Sequence, residues 1–186
     1  MKMKFLYLQI ALVTLVFNVQ AQTTATTKKI LVAYFSHSGN TRAVAYDICK
    51  KVDGEFFEIQ TVKPYPSDYN AVVDQAKREL KADYRPELKS KLKNINQYEV
   101  IFIGYPNWWG TYPQAVKVFL SQYNFSGKTI ILFCTHEGSE LGRSVADLKK
   151  MCPKAHIPEG LAIRGSSAHN SEERIEIWLK KINIIK

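Results

Sequence analysis

The sequence predicts a doubly wound α/β fold, with a five-stranded parallel sheet covered by helices on both faces. Three observations carry this reading. Runs almost free of polar residues, such as KILVAYF at 29–35 and YEVIFIGYP at 98–106, fit strands buried on both faces. Segments of helical period separate those runs. Strands and helices alternate from end to end, which calls for right-handed crossovers and a three-layer domain.

Taken in order, the first strand is 29–35, and 40–51 is helical with Ala43, Val44, Ile48 and Cys49 on one side. EFFEIQ at 55–60 is the second strand. The stretch 67–83 opens on a Ser67–Asp68 cap and reads as a helix whose length Pro86 limits. The third strand, 98–106, is followed by a helix at 113–123 with proline in its first turn. KTIILFCT at 128–135 is the fourth strand, and 141–151 is a helix closed off by Pro153, with Ser139 as its candidate cap. GLAIRGS at 160–166 is the last strand, and 171–182 is a final helix capped at Ser171. No repeat, low-complexity tract or second-domain boundary interrupts the domain expected over 29–186.

Residues 1–21 read differently. Two lysines precede an apolar stretch over 5–19, and Val19-Gln20-Ala21 puts small residues where a leader peptidase cuts. The expectation is a secretory signal peptide cut after Ala21, a polar linker over 22–28, and an exported, periplasmic protein with no integral membrane segment once the signal is gone. The apolar stretch is short for a membrane span, which needs about 20 residues; an uncleaved anchor is the alternative. No cysteine precedes Cys49, and there is no twin-arginine pair.

The chain carries a net charge of +9, which cleavage at Ala21 takes to +7 by removing Lys2 and Lys4. The lysines are scattered in pairs such as Lys50-Lys51 and Lys149-Lys150, mostly at helix ends, where cations suit the carbonyl dipole. No nucleic-acid motif accompanies them, so they read as a solvated face and nucleic acid is not an expected partner; an acidic partner is the alternative. Of the three cysteines, Cys49 falls in a helix and Cys134 in a buried strand. Free core thiols fit that placement, while a Cys134–Cys152 bridge stays open. No spacing of Cys and His suggests a metal.

In such a sheet a ligand sits beyond the carboxyl ends of the strands, where strand order reverses. Three loops there are unusual. After the first strand, SHSGNT crowds Ser36, His37, Ser38, Gly39, Asn40 and Thr41 into a strand-to-helix turn. Backbone N–H groups, hydroxyls and a glycine make that turn a nest for an anion, and the missing lysine suits a phosphate monoester. The alternative is an ordinary turn with Ser or Asn capping the helix. After the third strand, PNWWG at 106–110 offers Trp108 and Trp109 as flat surfaces beside Pro106 and Asn107. Gly110 lets the backbone approach a ring there; packing on a helix or a partner is the competing use of the tryptophans. After the fourth strand, Thr135, His136, Glu137, Gly138 and Ser139 can lay N–H and C=O groups along a heterocycle, or form a plain loop. His136 has no nucleophile beside it, and no Ser/His/Asp set or carboxylate pair emerges, so no catalytic side chain is assigned. The ligand these loops describe is a phosphorylated flat heterocycle.

With FSxSGNT, GYPxWWGxxP and FCTHEGSxLG in that order, the chain resembles the flavodoxins over nearly all of 29–182. The resemblance implies strand order 2-1-3-4-5 and FMN as cofactor. It implies that Ser36, His37, Ser38, Gly39, Asn40 and Thr41 hold the FMN phosphate. Pro106, Asn107, Trp108, Trp109 and Gly110, with Thr135, His136, Glu137, Gly138 and Ser139, would flank the isoalloxazine ring. Ser36 and Ser38 stand where flavodoxins often carry threonine, which preserves the donors. The expected function is electron transfer through bound flavin to a redox partner protein or small-molecule acceptor. An FMN-dependent reductase of quinones is the second reading, and a flavin-binding module without turnover the third.

Overall fold

The computed structural model describes residues 29–186. The expected signal peptide (1–21) and linker (22–28) lie outside the described residues. Five strands form one sheet: β1 (Ile30–Tyr34), β2 (Glu55–Glu58), β3 (Val100–Pro106), β4 (Thr129–His136) and β5 (Leu161–Arg164). Between and after them run α1 (Asn40–Val52), α2 (Tyr69–Ala82), α3 (Gln114–Ser121), α4 (Ser144–Met151) and α5 (Glu172–Lys181). The sheet order is β2-β1-β3-β4-β5, all pairs parallel. This is the expected doubly wound fold and order, with reversal between β1 and β3.

The apolar runs divide by alternation between two cores. Leu31 and Ala33 of β1, Ile101, Ile103 and Tyr105 of β3, and Ile130, Leu132 and Cys134 of β4 pack into one cluster with Ala115, Val116 and Phe119 of α3. Val32 and Tyr34, Phe102, and Ile131 and Phe133 face the other, with Val44, Ala45 and Ile48 of α1 and Ile175, Trp178 and Leu179 of α5. Each buried aliphatic side chain contributes about 1.5–3 kcal/mol, and alternation sends successive residues to opposite faces. A strand feeding both cores must therefore be apolar throughout. β2, at the edge, sets two phenylalanines between two glutamates and leaves Phe56 41% exposed.

Helix starts differ from the sequence expectation where the backbone takes an unusual shape. α4 begins at Ser144 rather than 141, because Glu140 (φ +48°) and Gly142 (φ +53°) are left-handed and cannot continue a right-handed helix. Ser139 therefore caps nothing. Asp68 caps α2 as expected, accepting from Ala71 N–H at 2.8 Å. Ser171 does not cap α5: its hydroxyl donates to Ala168 C=O at 3.0 Å, closing a 3-10 turn over Gly165–Asn170 that the sequence reading missed. All three cysteines are free thiols, and Cys49 Sγ donates to Gly54 C=O at 3.0 Å.

Candidate functional site

The carboxyl ends of β1, β3, β4 and β5 bring four loops to one edge. The first starts at Phe35, whose N–H donates to Gly104 C=O at 2.9 Å and carries the β1 ladder one residue past its end. Gly39 is the N-cap of α1 at φ +95°, where no atom lies within 4 Å of the place a side chain would take. Neither Ser38 nor Asn40 caps the helix; Ser36 Oγ accepts from Arg42 N–H at 3.2 Å instead. The N–H groups of residues 37–41 have no hydrogen-bond partner among the described residues. Ser38 is exposed, with its hydroxyl equally uncommitted. Neutral donors at the head of a 13-residue helix, open to solvent, are chemically suited to a phosphate monoester.

Two side chains of this loop are committed elsewhere. His37 Nε2 lies 2.7 Å from Pro66 C=O, and the ring meets Trp108 edge-on at 5.9 Å. Thr41 is buried, with its Oγ1 2.8 Å from Thr135 Oγ1, so the hydroxyls of two expected ligand residues pair with each other across the top of the sheet.

The loop after β3 is the reverse case. Trp108 and Thr111 exchange both backbone hydrogen bonds, at 2.9 and 3.2 Å, around Trp109 (φ +54°) and Gly110 (φ +79°). Two left-handed residues between paired flanks are the pattern of a type I′ turn, which normally takes Asn-Gly. A tryptophan there costs on the order of 1–3 kcal/mol and persists only if its surroundings impose it. They do. Asn107 Oδ1 accepts from Gly110 N–H at 3.0 Å, and its amide nitrogen donates to Glu140 C=O. Arg143 N–H donates to Gly110 C=O at 2.8 Å, and its guanidinium reaches Trp109 C=O at 3.4 Å. Asp147 orients that guanidinium at 3.1 Å while accepting from the Thr111 hydroxyl at 2.8 Å.

The two tryptophans part company. Trp108 is half-buried among Phe35, Tyr65 and His37, meeting the first two edge-on at 5.4 and 5.0 Å. Tyr65 in turn donates to the buried Glu79 carboxylate at 2.6 Å. Trp109 is 45% exposed. Its indole N–H donates to Val73 C=O of α2 at 3.0 Å, and Lys77 Nζ sits 4.9 Å from the ring centre. Pro106, at the end of β3, pairs in register with Thr135.

Along the loop after β4, Asn107 N–H donates to Thr135 C=O at 2.8 Å and ties this loop to the last. His136 Nδ1 accepts from Gly138 N–H at 3.0 Å, which identifies the tautomer with the proton on Nε2. Burial, opposed by nearby Glu140 and helped by Arg164, lowers the histidine pKa and favours that neutral ring. Burial pushes the Cys134 thiol up to about 12, and the thiol donates to Glu140 C=O at 3.2 Å. Cys134 is thus a packing group, not a nucleophile. Glu137 and Ser139 are exposed.

Sequence reasoning did not pick out Arg143 and Gly165, and it took Gly142 only as the end of the FCTHEGSxLG motif, without a contact. A side-chain carbon on Gly142 would lie 2.3 Å from Gly110 C=O, so the fourth-strand loop can press on the tryptophan turn only without one. At Gly165, beyond β5, the same carbon would meet Glu137 Oε1 at 2.3 Å and Asn40 Nδ2 at 2.9 Å. Gly165 closes the last apolar run and Gly142 closes the motif after β4, but nothing local says what each one faces. Among the described residues no group of three or more His, Cys, Asp or Glu side chains could hold a metal ion. What the edge can do chemically is bind: an anion at one end, a flat ring beside Trp109 at the other.

The profile of the family described as Flavodoxin matches residues 29–182. No curated protein matches the chain. Among solved structures, the chain is similar to a "putative flavoprotein" from Bacteroides eggerthii at 36% identity and TM-score 0.74, covering 85% of this chain and 99% of that one. A protein of the same description from Bacteroides uniformis shares 33% identity at TM-score 0.74, covering 82% of this chain and 98% of that one. A Lactobacillus acidophilus flavoprotein in complex with FMN shares the fold at 24% identity and TM-score 0.63, with 80% of this chain and 99% of that one covered.

Proposed function

The chain belongs to the flavodoxin family, and from that premise we propose that it binds FMN at the carboxyl edge of its sheet and passes electrons through the flavin. The observation that carries this is the row of uncommitted N–H groups at 37–41, set at the same edge as the braced Trp109. Phosphate would be held by the donors of Ser36, Ser38, Gly39, Asn40 and Thr41, with the backbone giving more than the side chains. The ring would lie along Trp109, Gly110 and the Thr135–Ser139 loop. When bound, FMN supplies a ring that takes up two electrons and one proton and gives them back. The chain's own part is to bind, orient and set the electrostatics of that ring. No acid, base or nucleophile is needed, which agrees with His136 being held as a neutral ring by Gly138. The electrons would go to a redox protein or a small acceptor, and the basic balance of the chain favours an acidic one.

The test is titration of the chain with FMN and with riboflavin. FMN should bind with its fluorescence quenched, and riboflavin, lacking the phosphate, more weakly. Trp109→Ala should cost about 1–3 kcal/mol of binding, by analogy with aromatic stacking on bases. The photoreduced complex should then reduce an added one-electron acceptor without oxidising a nicotinamide in steady state. A chain that leaves the FMN spectrum and fluorescence unchanged overturns the reading. Steady nicotinamide–quinone turnover would move it to a reductase.

A further inference from the structure

We infer that Lys77 is a positioning residue for the flavin potential, acting through Trp109: its ammonium sits on one face of the indole and favours negative charge on a ring against the other. This rests on the proposed stacking of FMN on Trp109.

Val73 and Lys77 lie four residues apart on α2 and so share a face of the helix. Val73 C=O holds the indole N–H at 3.0 Å, which fixes the edge of the ring. Arg143 and Asn107 fix the backbone that carries the ring, through the Trp109 carbonyl and the Gly110 N–H. Lys77 Nζ, 4.9 Å from the ring centre, then covers one chosen face. Trp109 is 45% exposed, and a flat ligand stacked on it would take the face turned away from Lys77. Trp109 is thereby the middle layer of a stack: cation, indole, ring.

Uptake of two electrons and one proton leaves a flavin with one net negative charge. A bare indole presents its electron-rich face to that charge and disfavours it. A cation on the far face draws on the same π density and adds a direct attraction through the stack. The two influences oppose each other, and Lys77 is what offsets the tryptophan. Its charge is not cancelled locally, since among the described residues no carboxylate pairs with it. The other cation at this turn, Arg143, is paired with Asp147. Lys81, one turn further along α2, is exposed and has no contact with the indole, which makes it the matched control.

The experiment measures the two-electron midpoint potential of the full chain loaded with FMN, for the parent, Lys77→Met, Lys77→Arg and Lys81→Met. Lys77→Met should lower the potential, so that reduced FMN binds several-fold less tightly relative to oxidised FMN than it does in the parent. Lys77→Arg should restore the parent value, and Lys81→Met should leave it unchanged. In a Trp109→Ala background the effect of Lys77→Met should largely vanish. Equal potentials for the parent and Lys77→Met overturn the inference while leaving FMN binding intact. An equal shift from Lys81→Met, or an undiminished shift without Trp109, overturns it too, since the charge would then act through solvent. A parent chain that does not bind FMN, or whose quenching ignores Trp109, overturns the stacking and this inference together.

Discussion

The loops after β1 and after β3 are opposites built at one sheet edge. Across 37–41 the backbone donors are uncommitted, the serine at 38 is exposed, and no atom crowds the open side of Gly39. Across 107–111 nearly every backbone group is taken: Gly110 by Asn107 and Arg143, Trp108 by Thr111, and the Trp109 carbonyl by Arg143. An anion site needs donors kept free of partners and aimed by a rigid helix. A stacking platform needs a surface that does not move when the ring arrives, because ordering it on binding costs affinity. The one loop is left wanting partners and the other is saturated with them, and each condition suits the part proposed for it.

Glycine substitutions break this contrast most sharply. Gly142→Ala places a carbon 2.3 Å from Gly110 C=O at a left-handed φ of +53°. It should cost about 2–4 kcal/mol in denaturant unfolding, from strain and overpacking against backbone that cannot yield. Gly39→Ala meets nothing within 4 Å. It should cost only its backbone strain, about 1–2 kcal/mol. Equal losses at the two sites would mean that the loops are equally packed.

Hydroxyl substitutions sharpen it further. Ser38→Ala should weaken FMN binding by about 1.5–3 kcal/mol, the range for a hydrogen bond to a charged group, and leave riboflavin binding and stability unchanged. Thr41→Ala should instead lower stability by about 1–3 kcal/mol, since it strands the buried Thr135 hydroxyl, and should weaken both ligands together. Isothermal titration with both ligands, beside unfolding curves, separates the two. A riboflavin loss in Ser38→Ala would make Ser38 a structural residue as well.

The smallest effect is the pH dependence of the loop after β4. Burial lowers the His136 pKa below the ordinary histidine value near 6.5. The unfolded chain therefore takes the proton first, so the contribution to stability is complete above that value and is lost as pH falls through the lowered one. Protonated Nδ1 can no longer accept from Gly138. Unfolding midpoints should fall between pH 7.5 and pH 5.5 less steeply in His136→Gln than in the parent, compared as differences so that other groups cancel.

The fold was legible because its signals are local and repeated. A strand buried on both faces has to read like 29–35, and the order of strands follows from crossovers and the resemblance. The candidate site's loops could be placed at one edge from the sequence, but the contacts among them could not. His37 sits within the SHSGNT turn, yet it faces Pro66, a residue whose approach depends on how the chain returns after β2. Trp109 stands before a glycine, the second half of a type I′ signature, but its own left-handed φ is imposed by Arg143 and Asn107. The expected helix start at 141 fits the apolar period of 141–151; what moves it to Ser144 is the press of Gly142 on Gly110, some thirty residues earlier in the chain. Period and propensity reach a few residues along the chain. Each of these misses is a contact between distant segments.

The hydroxyl pair Thr41–Thr135 joins groups 94 residues apart in the chain. Because β1 lies between β2 and β3, the pair can close only after β3 has inserted beside β1 and β4 has docked on β3. Contacts of that sequence separation are slow to form and late to be rewarded. If the cofactor sits where proposed, its cradle would be a late product of folding rather than its nucleus. In a chain refolding from denaturant, tryptophan burial in the cores should run ahead of flavin capture. The cofactor would act as an inspector of the finished sheet, arriving when the last parallel strands are in place and, by binding only then, holding them there.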